Sequence, residues 1–300
     1  MIALLAPGQG AQTPGMLADW LELPGAAAQL ARWSQISGLD LAALGTSATA
    51  EEITDTAVTQ PLVVATTLLA FGALAERGVP SPSIVAGHSV GEIAAYAIAG
   101  VISPDDAVRL AAVRGAEMAK ACAVEPTGMA AVLGGDEDEV LARLEALGLI
   151  PANRNATGQI VAAGAVAALE KLAEDPPAKA RVRALATAGA FHTHYMAPAM
   201  DGYAAAAAGI SASEPATTLL SNADGRPVAS AADAMAKLVA QLTRPVRWDL
   251  CTETIRTLGA TAIVEFPPAG TLTGIAKREL RGIATHAVKT PADLDGLAGL

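Results

Sequence analysis

Residues 83–100 read SIVAGHSVGEIAAYAIAG. Ser83 to Gly87 is a short apolar run suited to a buried strand, and Gly91 to Gly100 continues with the periodicity of a helix. Between them stands Gly87-His88-Ser89-Val90-Gly91, the G-x-S-x-G arrangement. Its flanking glycines permit a tight strand-to-helix turn that lifts the serine hydroxyl above the sheet edge. The helix that begins just beyond aims its first N–H groups and its positive dipole end at the same place. The Val90 amide is thus a natural donor to an oxyanion. The pentapeptide alone also fits a glycine-rich turn with a solvated serine; the strand before it and the helix after it favour a nucleophile.

Working outward, Ile2 to Ala6 is an apolar run ended by Pro7-Gly8, a buried strand entering a turn. Helices are expected near 24–36, over Glu51 to Arg77 with Gly78 and Pro80 as stop signals, and from about Asp105 to Cys122. Ser103 is an N-cap candidate there and Pro104 stands at the first helical position. Strands alternating with helices predict an α/β sheet covered on both faces. From 124 to 189 the rhythm changes to strand (128–133), helix (137–148), strand (from 149), strand (159–164), helix (165–174) and strand (180–185). That βαββαβ order is a ferredoxin-like unit inserted as a small lobe. Residues 1–123 and 190–300 then form the large lobe, with helices near 196–208 and 231–242 and a strand from Ala262 to Phe266.

The chain has 300 residues, 52% of them hydrophobic and 17% charged, enough for two unequal lobes around a substantial core. Its net charge of −10, with no basic run, argues against a nucleic-acid surface and requires any dock for an acidic partner to be local. Cys122 and Cys251 form neither a disulfide framework nor a metal-ligand spacing, as expected in a reduced cytoplasm. Met1 to Pro7 lacks the basic flank of a signal peptide. Pro61 to Ala75 reads as a buried core helix and not a membrane span.

A serine nucleophile needs a base, and the chain has four histidines: His88, His192, His194 and His286. The strand pleat is expected to turn His88 away from the serine, into a supporting or core role. His286 reads as structural. His192 and His194 share the loop Gly189-Ala190-Phe191-His192-Thr193-His194-Tyr195-Met196, and spacing alone does not separate them. Arg114 lies on the same helix face as Ala107, Leu110, Ala111 and Met118, so it should be buried. A buried guanidinium is costly unless an anion meets it. Glu117 and Glu92 are structural candidates for that anion, a ligand carboxylate the functional one.

These residues resemble the malonyl-CoA:acyl-carrier-protein transacylases of fatty-acid synthesis and the related acyltransferase domains of polyketide synthases. The likeness runs nearly the whole length. It includes Pro7-Gly8-Gln9-Gly10-Ala11-Gln12, Gly87-His88-Ser89-Val90-Gly91-Glu92, Ala99-Gly100-Val101-Ile102 and Val113-Arg114-Gly115. It continues through Asn153-Arg154-Asn155 with Gly158-Gln159, His192 with Met196, Gln241-Leu242 with Pro245-Val246 and Trp248, and Leu272-Thr273-Gly274.

The resemblance implies an α/β-hydrolase-like large lobe with the ferredoxin-like insert, and a site in the cleft between them. It implies Ser89 as nucleophile, His192 as general base oriented by the Gln241 backbone carbonyl, and an oxyanion hole from the Gln9 and Val90 amides. His194 is left as a cleft-wall residue. Arg114 is implied as the fork that grips the malonyl carboxylate, with His88 and Asn155 also at the substrate. Phe191 before the histidine and Val90 after the serine match the malonyl-selective pattern. Excluding one methyl sterically discriminates by only ~1–3 kcal/mol.

The implied reaction is a ping-pong transfer from malonyl-CoA to the phosphopantetheine thiol of acyl carrier protein. It needs no metal or resident cofactor, coenzyme A thioester being a substrate, and the enzyme is expected to be a monomer. Arg154, Arg181, Arg183, Lys277, Arg278 and Arg281 are candidates for a basic rim facing the acidic carrier. The competing functions are a serine esterase or thioesterase, a non-catalytic carrier-binding scaffold, and an acyltransferase that serves a polyketide synthase.

Overall fold

The computed structural model describes residues 1–78, 82–297 and 300; Pro80, the expected helix stop, lies outside the described residues. The strands are β1 (Ile2–Ala6), β2 (Ile84–Gly87), β3 (Thr127–Gly134), β4 (Ile150–Ala156), β5 (Gln159–Ala165), β6 (Ala180–Ala184), β7 (Thr218–Leu219), β8 (Val246–Arg247), β9 (Ala262–Glu265) and β10 (Ala284–Ala287). The helices are α1 (Ala26–Ser37), α2 (Leu41–Thr46), α3 (Thr56–Glu76), α4 (Gly91–Ile98), α5 (Pro104–Cys122), α6 (Glu137–Ala146), α7 (Val166–Glu174), α8 (Met200–Ala208), α9 (Ala231–Ala240), α10 (Trp248–Thr257) and α11 (Thr271–Glu279).

Five strands build an all-parallel sheet in the order β10-β9-β1-β2-β7. Alternation along β1 sends Ile2, Leu4 and Ala6 into one core and Ala3 and Leu5 into another on the opposite face. A parallel sheet buried on both faces needs just such unbroken apolar strands. The order reverses between β1 and β9, and clefts in this architecture open beyond the carboxyl ends of strands at such a reversal. The Pro7–Gly10 loop leaves β1 there, and the nucleophile turn leaves β2 beside it.

The second sheet runs β6-β3-β5-β4-β8, with β3, β5, β4 and β6 in the antiparallel ferredoxin-like arrangement. The fold is therefore an α/β-hydrolase-like lobe with a ferredoxin-like one. Its fifth strand, β8, comes from beyond residue 189 and pairs in parallel with β4 through Asn153 and Arg154.

Two expected helices are broken, each for a local reason. Over 51–77 a short 3-10 turn (Glu52–Thr54) precedes α3, because the Asp55 carboxylate accepts from the Ala57 N–H at 2.8 Å and caps a new start. Over 196–208 a 3-10 turn (His194–Ala199) precedes α8; it contains Pro198, which has no N–H for a helical bond. α3 is long and apolar enough to cross a membrane by composition, but it is buried along most of its length inside the protein. α5 starts as expected, with Ser103 Oγ accepting from the Asp106 N–H at 3.1 Å.

Candidate active site

Ser89 sits between β2 and α4 with φ of 54°, a left-handed conformation rare for a residue with a side chain. The turn is possible because Gly87 and Gly91 face each other with no side chains. A Cβ on Gly87 would meet the Gly91 carbonyl, and one on Gly91 would meet the Ala6 and Pro7 carbonyl oxygens. The Ser89 hydroxyl donates to His192 Nε2 at 2.7 Å. His192 Nδ1 in turn donates to the Gln241 backbone carbonyl at 2.8 Å. A carbonyl only accepts, so the proton is on Nδ1 and the lone pair of Nε2 faces the serine. His192 is itself left-handed, with φ of 60°.

The two loop histidines that spacing left equivalent are far from equivalent in space. His192 is buried in the cleft; His194 is exposed and lies against the Tyr195 ring at 4.2 Å between centroids. His194 does not line the cavity, so its expected place on the cleft wall is corrected: the 3-10 turn carries it outward.

The cavity above Ser89 has a volume of about 430 Å³. Gln9, Ser89, Arg114, Phe191 and His192 line it from the large lobe, and Met129, Asn153, Asn155 and Val161 from the small one. His88 lines it too. Its Nε2 donates to Asn155 Oδ1 at 2.8 Å and its ring packs edge-on against Trp248. His88 thus ties the turn to β4 instead of contacting the Ser89 side chain, and burial lowers its pKa. The Val90 side chain does not reach the cavity: it is fully buried in the large core, so its expected part in reading the acyl group is corrected. Among the described residues, neither the Gln9 nor the Val90 N–H has an acceptor within the protein.

Arg114 is 1% exposed, and neither expected carboxylate touches it. Glu117 pairs with Lys120. The Arg114 guanidinium instead donates to two neutral amides, Nη1 to Gln60 Oε1 at 2.8 Å and Nη2 to Gln241 Oε1 at 2.9 Å, and its Nε has no partner. A buried cation held only by amide oxygens remains available to an anion in the cavity.

Beneath the turn lies a polar network that the motifs did not reveal. Gln241 Nε2 donates to Glu92 Oε2 at 2.6 Å, and Glu92 Oε1 accepts from the Asn222 N–H, also at 2.6 Å. Burial pushes the Glu92 carboxyl up to about 7, although these hydrogen bonds and the Arg114 charge pull the other way. His192 is driven down to about 3, first by burial and then by Arg114. Gln60 could have been noticed as an amide at the head of the apolar run in α3. Asn222 sits in Ser221-Asn222-Ala223-Asp224-Gly225, which carries only the signal of a turn. Among the described residues no group of three His, Cys, Asp or Glu stands together to hold a metal ion.

The family model of the acyl transferase domain matches residues 4–292. The malonyl CoA-acyl carrier protein transacylase of Mycolicibacterium smegmatis is 79% identical over 287 residues, covering 94% of this chain and 99% of the relative. The crystal structure of MCAT from Mycobacterium tuberculosis superposes with a TM-score of 0.98 at 74% identity, covering 99% of each chain. A malonyl-transacylase in complex with its type II polyketide synthase acyl-carrier protein superposes with a TM-score of 0.94 at 33% identity, again covering 99% of each chain.

Proposed function

This chain belongs to the acyl transferase domain family and is an acyltransferase, and from that premise we propose that it moves a malonyl group from coenzyme A to an acyl carrier protein through an ester on Ser89. The observation that carries this reading is Arg114: a buried cation without a carboxylate partner, in the cavity that holds the Ser89–His192 pair.

Ser89 Oγ attacks the thioester carbonyl as its proton passes to His192 Nε2. The carbonyl oxygen becomes an oxyanion received by the Gln9 and Val90 amides. Collapse breaks the carbon–sulfur bond, and the departing thiolate takes the proton back from His192. In the second half-reaction the phosphopantetheine thiol gives its proton to His192, attacks the ester carbonyl, and Ser89 leaves with the proton. Arg114 grips the free carboxylate throughout by two parallel hydrogen bonds. Pairing that carboxylate with Arg114 also offsets a charge that depresses His192, so bound cargo strengthens the base. Asn155 from the small lobe and His88 from the nucleophile turn, bonded to each other, frame the substrate, and Phe191 narrows the space beside the acyl chain. No metal or resident cofactor takes part.

We assign residues 1–123 and 190–300 to the catalytic lobe and 124–189 to the small lobe, and place the enzyme in the cytoplasm as a monomer. A carrier from a polyketide synthase is the second reading, favoured by the likeness to the transacylase bound to its type II carrier. Steady-state transfer to purified carriers of both kinds separates the two. Mass spectrometry after brief exposure to malonyl-CoA tests the central claim. A single malonyl adduct is expected on the Ser89 peptide and none on Ser89→Ala; an adduct elsewhere, or none on the wild type, overturns it.

A further inference from the structure

A left-handed residue with a side chain costs about 1–2 kcal/mol and persists only where its surroundings over-determine it. At Ser89, with φ of 54°, the surroundings converge on one side chain. We propose that Asn222 is a positioning residue that holds the Ser89 turn open for reaction by bridging the two flanks of the turn with a single amide. This inference rests on Ser89 being the nucleophile.

The placement of Asn222 follows from the sheet. β7 runs parallel to β2, pairing Thr218 with Ile84 and Leu219 with Val85. The Leu220 N–H extends the ladder to the Val85 carbonyl at 2.9 Å. Two residues on, β2 turns upward into α4 and the backbone ladder can no longer follow. The Asn222 side chain takes over: Oδ1 accepts from the Ser89 N–H at 2.8 Å, and Nδ2 donates to the Gly87 carbonyl at 2.7 Å. A backbone N–H can only donate and a carbonyl only accept, so these two partners fix which way the amide faces.

Asn222 is itself immobilised. It has no exposed surface, its N–H donates to Glu92, and its carbonyl accepts from the Arg247 N–H at 2.8 Å. Gln241, whose carbonyl orients His192, gives one Nε2 hydrogen to Glu92 and shares the other between the Ser89 carbonyl at 3.1 Å and Asn222 Oδ1 at 3.2 Å. One asparagine thereby fixes the serine relative to the base. It also occupies the Ser89 N–H, which leaves the Val90 N–H as the free donor of the turn.

Two substitutions test this. Asn222→Ala removes the bridge and leaves the Arg114 clamp intact. The rate of Ser89 acylation is expected to fall about 30- to 100-fold, with KM for malonyl-CoA within about threefold of wild type. Asn222→Asp supplies a readout that a merely structural role would not move. A neutral carboxyl reproduces both bonds, accepting from the Ser89 N–H and donating its own proton to the Gly87 carbonyl; an ionised one cannot donate and opposes that carbonyl. The ratio of variant to wild-type acylation rate, corrected for the folded fraction by circular dichroism, should rise at least about tenfold between pH 9 and pH 6. Glu92 and His192 titrate and Arg114 is charged around the site in both proteins, while burial keeps the Cys251 thiol neutral. The wild-type pH dependence divides out of the ratio, and what remains belongs to the new carboxyl together with its coupling to Glu92. A flat ratio overturns the proposal, as does Asn222→Ala at wild-type rate; if the alanine variant does not fold, the aspartate variant decides alone. Ser89→Ala keeps the two claims apart. Transfer surviving in that variant defeats the nucleophile reading, whereas a dead Ser89→Ala with a flat Asn222→Asp ratio defeats only the role of Asn222.

Discussion

Arg114 presents the recognition problem at the scale of one residue: how to keep a buried cation selective without neutralising it. Two amide oxygens, from Gln60 and Gln241, orient the guanidinium and add no negative charge. Arg114→Ala is expected to reduce kcat/KM for malonyl-CoA by about 10²- to 10³-fold while improving relative acceptance of acetyl-CoA, measured by competition between the two. Equal loss for both acyl groups would count against a carboxylate clamp. Gln60→Glu puts a permanent carboxylate on the same cation and should lower malonyl transfer at least about tenfold without loss of Tm. His192 makes a prediction about pH. Its pKa is driven from 6.5 down to about 3, so between those values the unfolded chain binds a proton that the folded chain refuses. Stability should therefore fall as pH drops through that window, by on the order of 2–3 kcal/mol at pH 4, and less steeply in His192→Ala. Thermal melts of both proteins from pH 7 to pH 4 check the sign; parallel curves would contradict it.

At the scale of elements, the turn from β2 to α4 was the most legible part of the chain because its sterics leave so few residue types. Gly91 shows why. Its missing side chain lets α4 start against the Ala6 and Pro7 carbonyls at the end of β1, and no flexible side chain is there to yield. Gly91→Ala should cost about 3 kcal/mol or more, seen as a Tm lower by roughly 5–10 °C, and should slow acylation of Ser89 in what remains folded. A Tm within two degrees of wild type would mean that the turn relaxes. The ferredoxin-like order was equally legible, since its strands alternate with helices at regular spacing. β7 and β8 escaped notice because two residues carry no periodicity, and β10, Ala-Thr-His-Ala, because its pattern is neither apolar nor alternating. Gln241 and Asn222 illustrate the limit at the site. The resemblance supplied the Gln241 carbonyl, but the work of its side chain, and all of that of Asn222, depends on partners 19 to 152 residues away.

Over the whole molecule, the two sheets meet at the chemistry. β8 pairs with β4 of the small sheet, and the Arg247 N–H in β8 bonds to Asn222 beneath the nucleophile. Across the cleft mouth, Arg278 of α11 donates to Gln159 of β5, while Thr271, Leu272 and Ile275 of the same helix line the cavity. α11 therefore brings exposed Lys277 and Arg278, with Arg281 just beyond, to the entrance. Among the described residues none of the three has a carboxylate partner. Arg154, by contrast, is paired with Glu137 and so is less available. If the acceptor is an acidic carrier, as the proposed transfer requires, a net charge of −10 repels it at long range and a local patch has to attract it. Lys277→Glu with Arg281→Glu should raise KM for the carrier about tenfold and weaken the salt dependence of the second half-reaction. Coenzyme A also carries phosphates, so the control is acylation by malonyl-pantetheine, which has none and should be unaffected. If reversing Arg181 and Arg183 on the edge strand β6 has the larger effect on the carrier, docking belongs to the small lobe and α11 only guards the mouth.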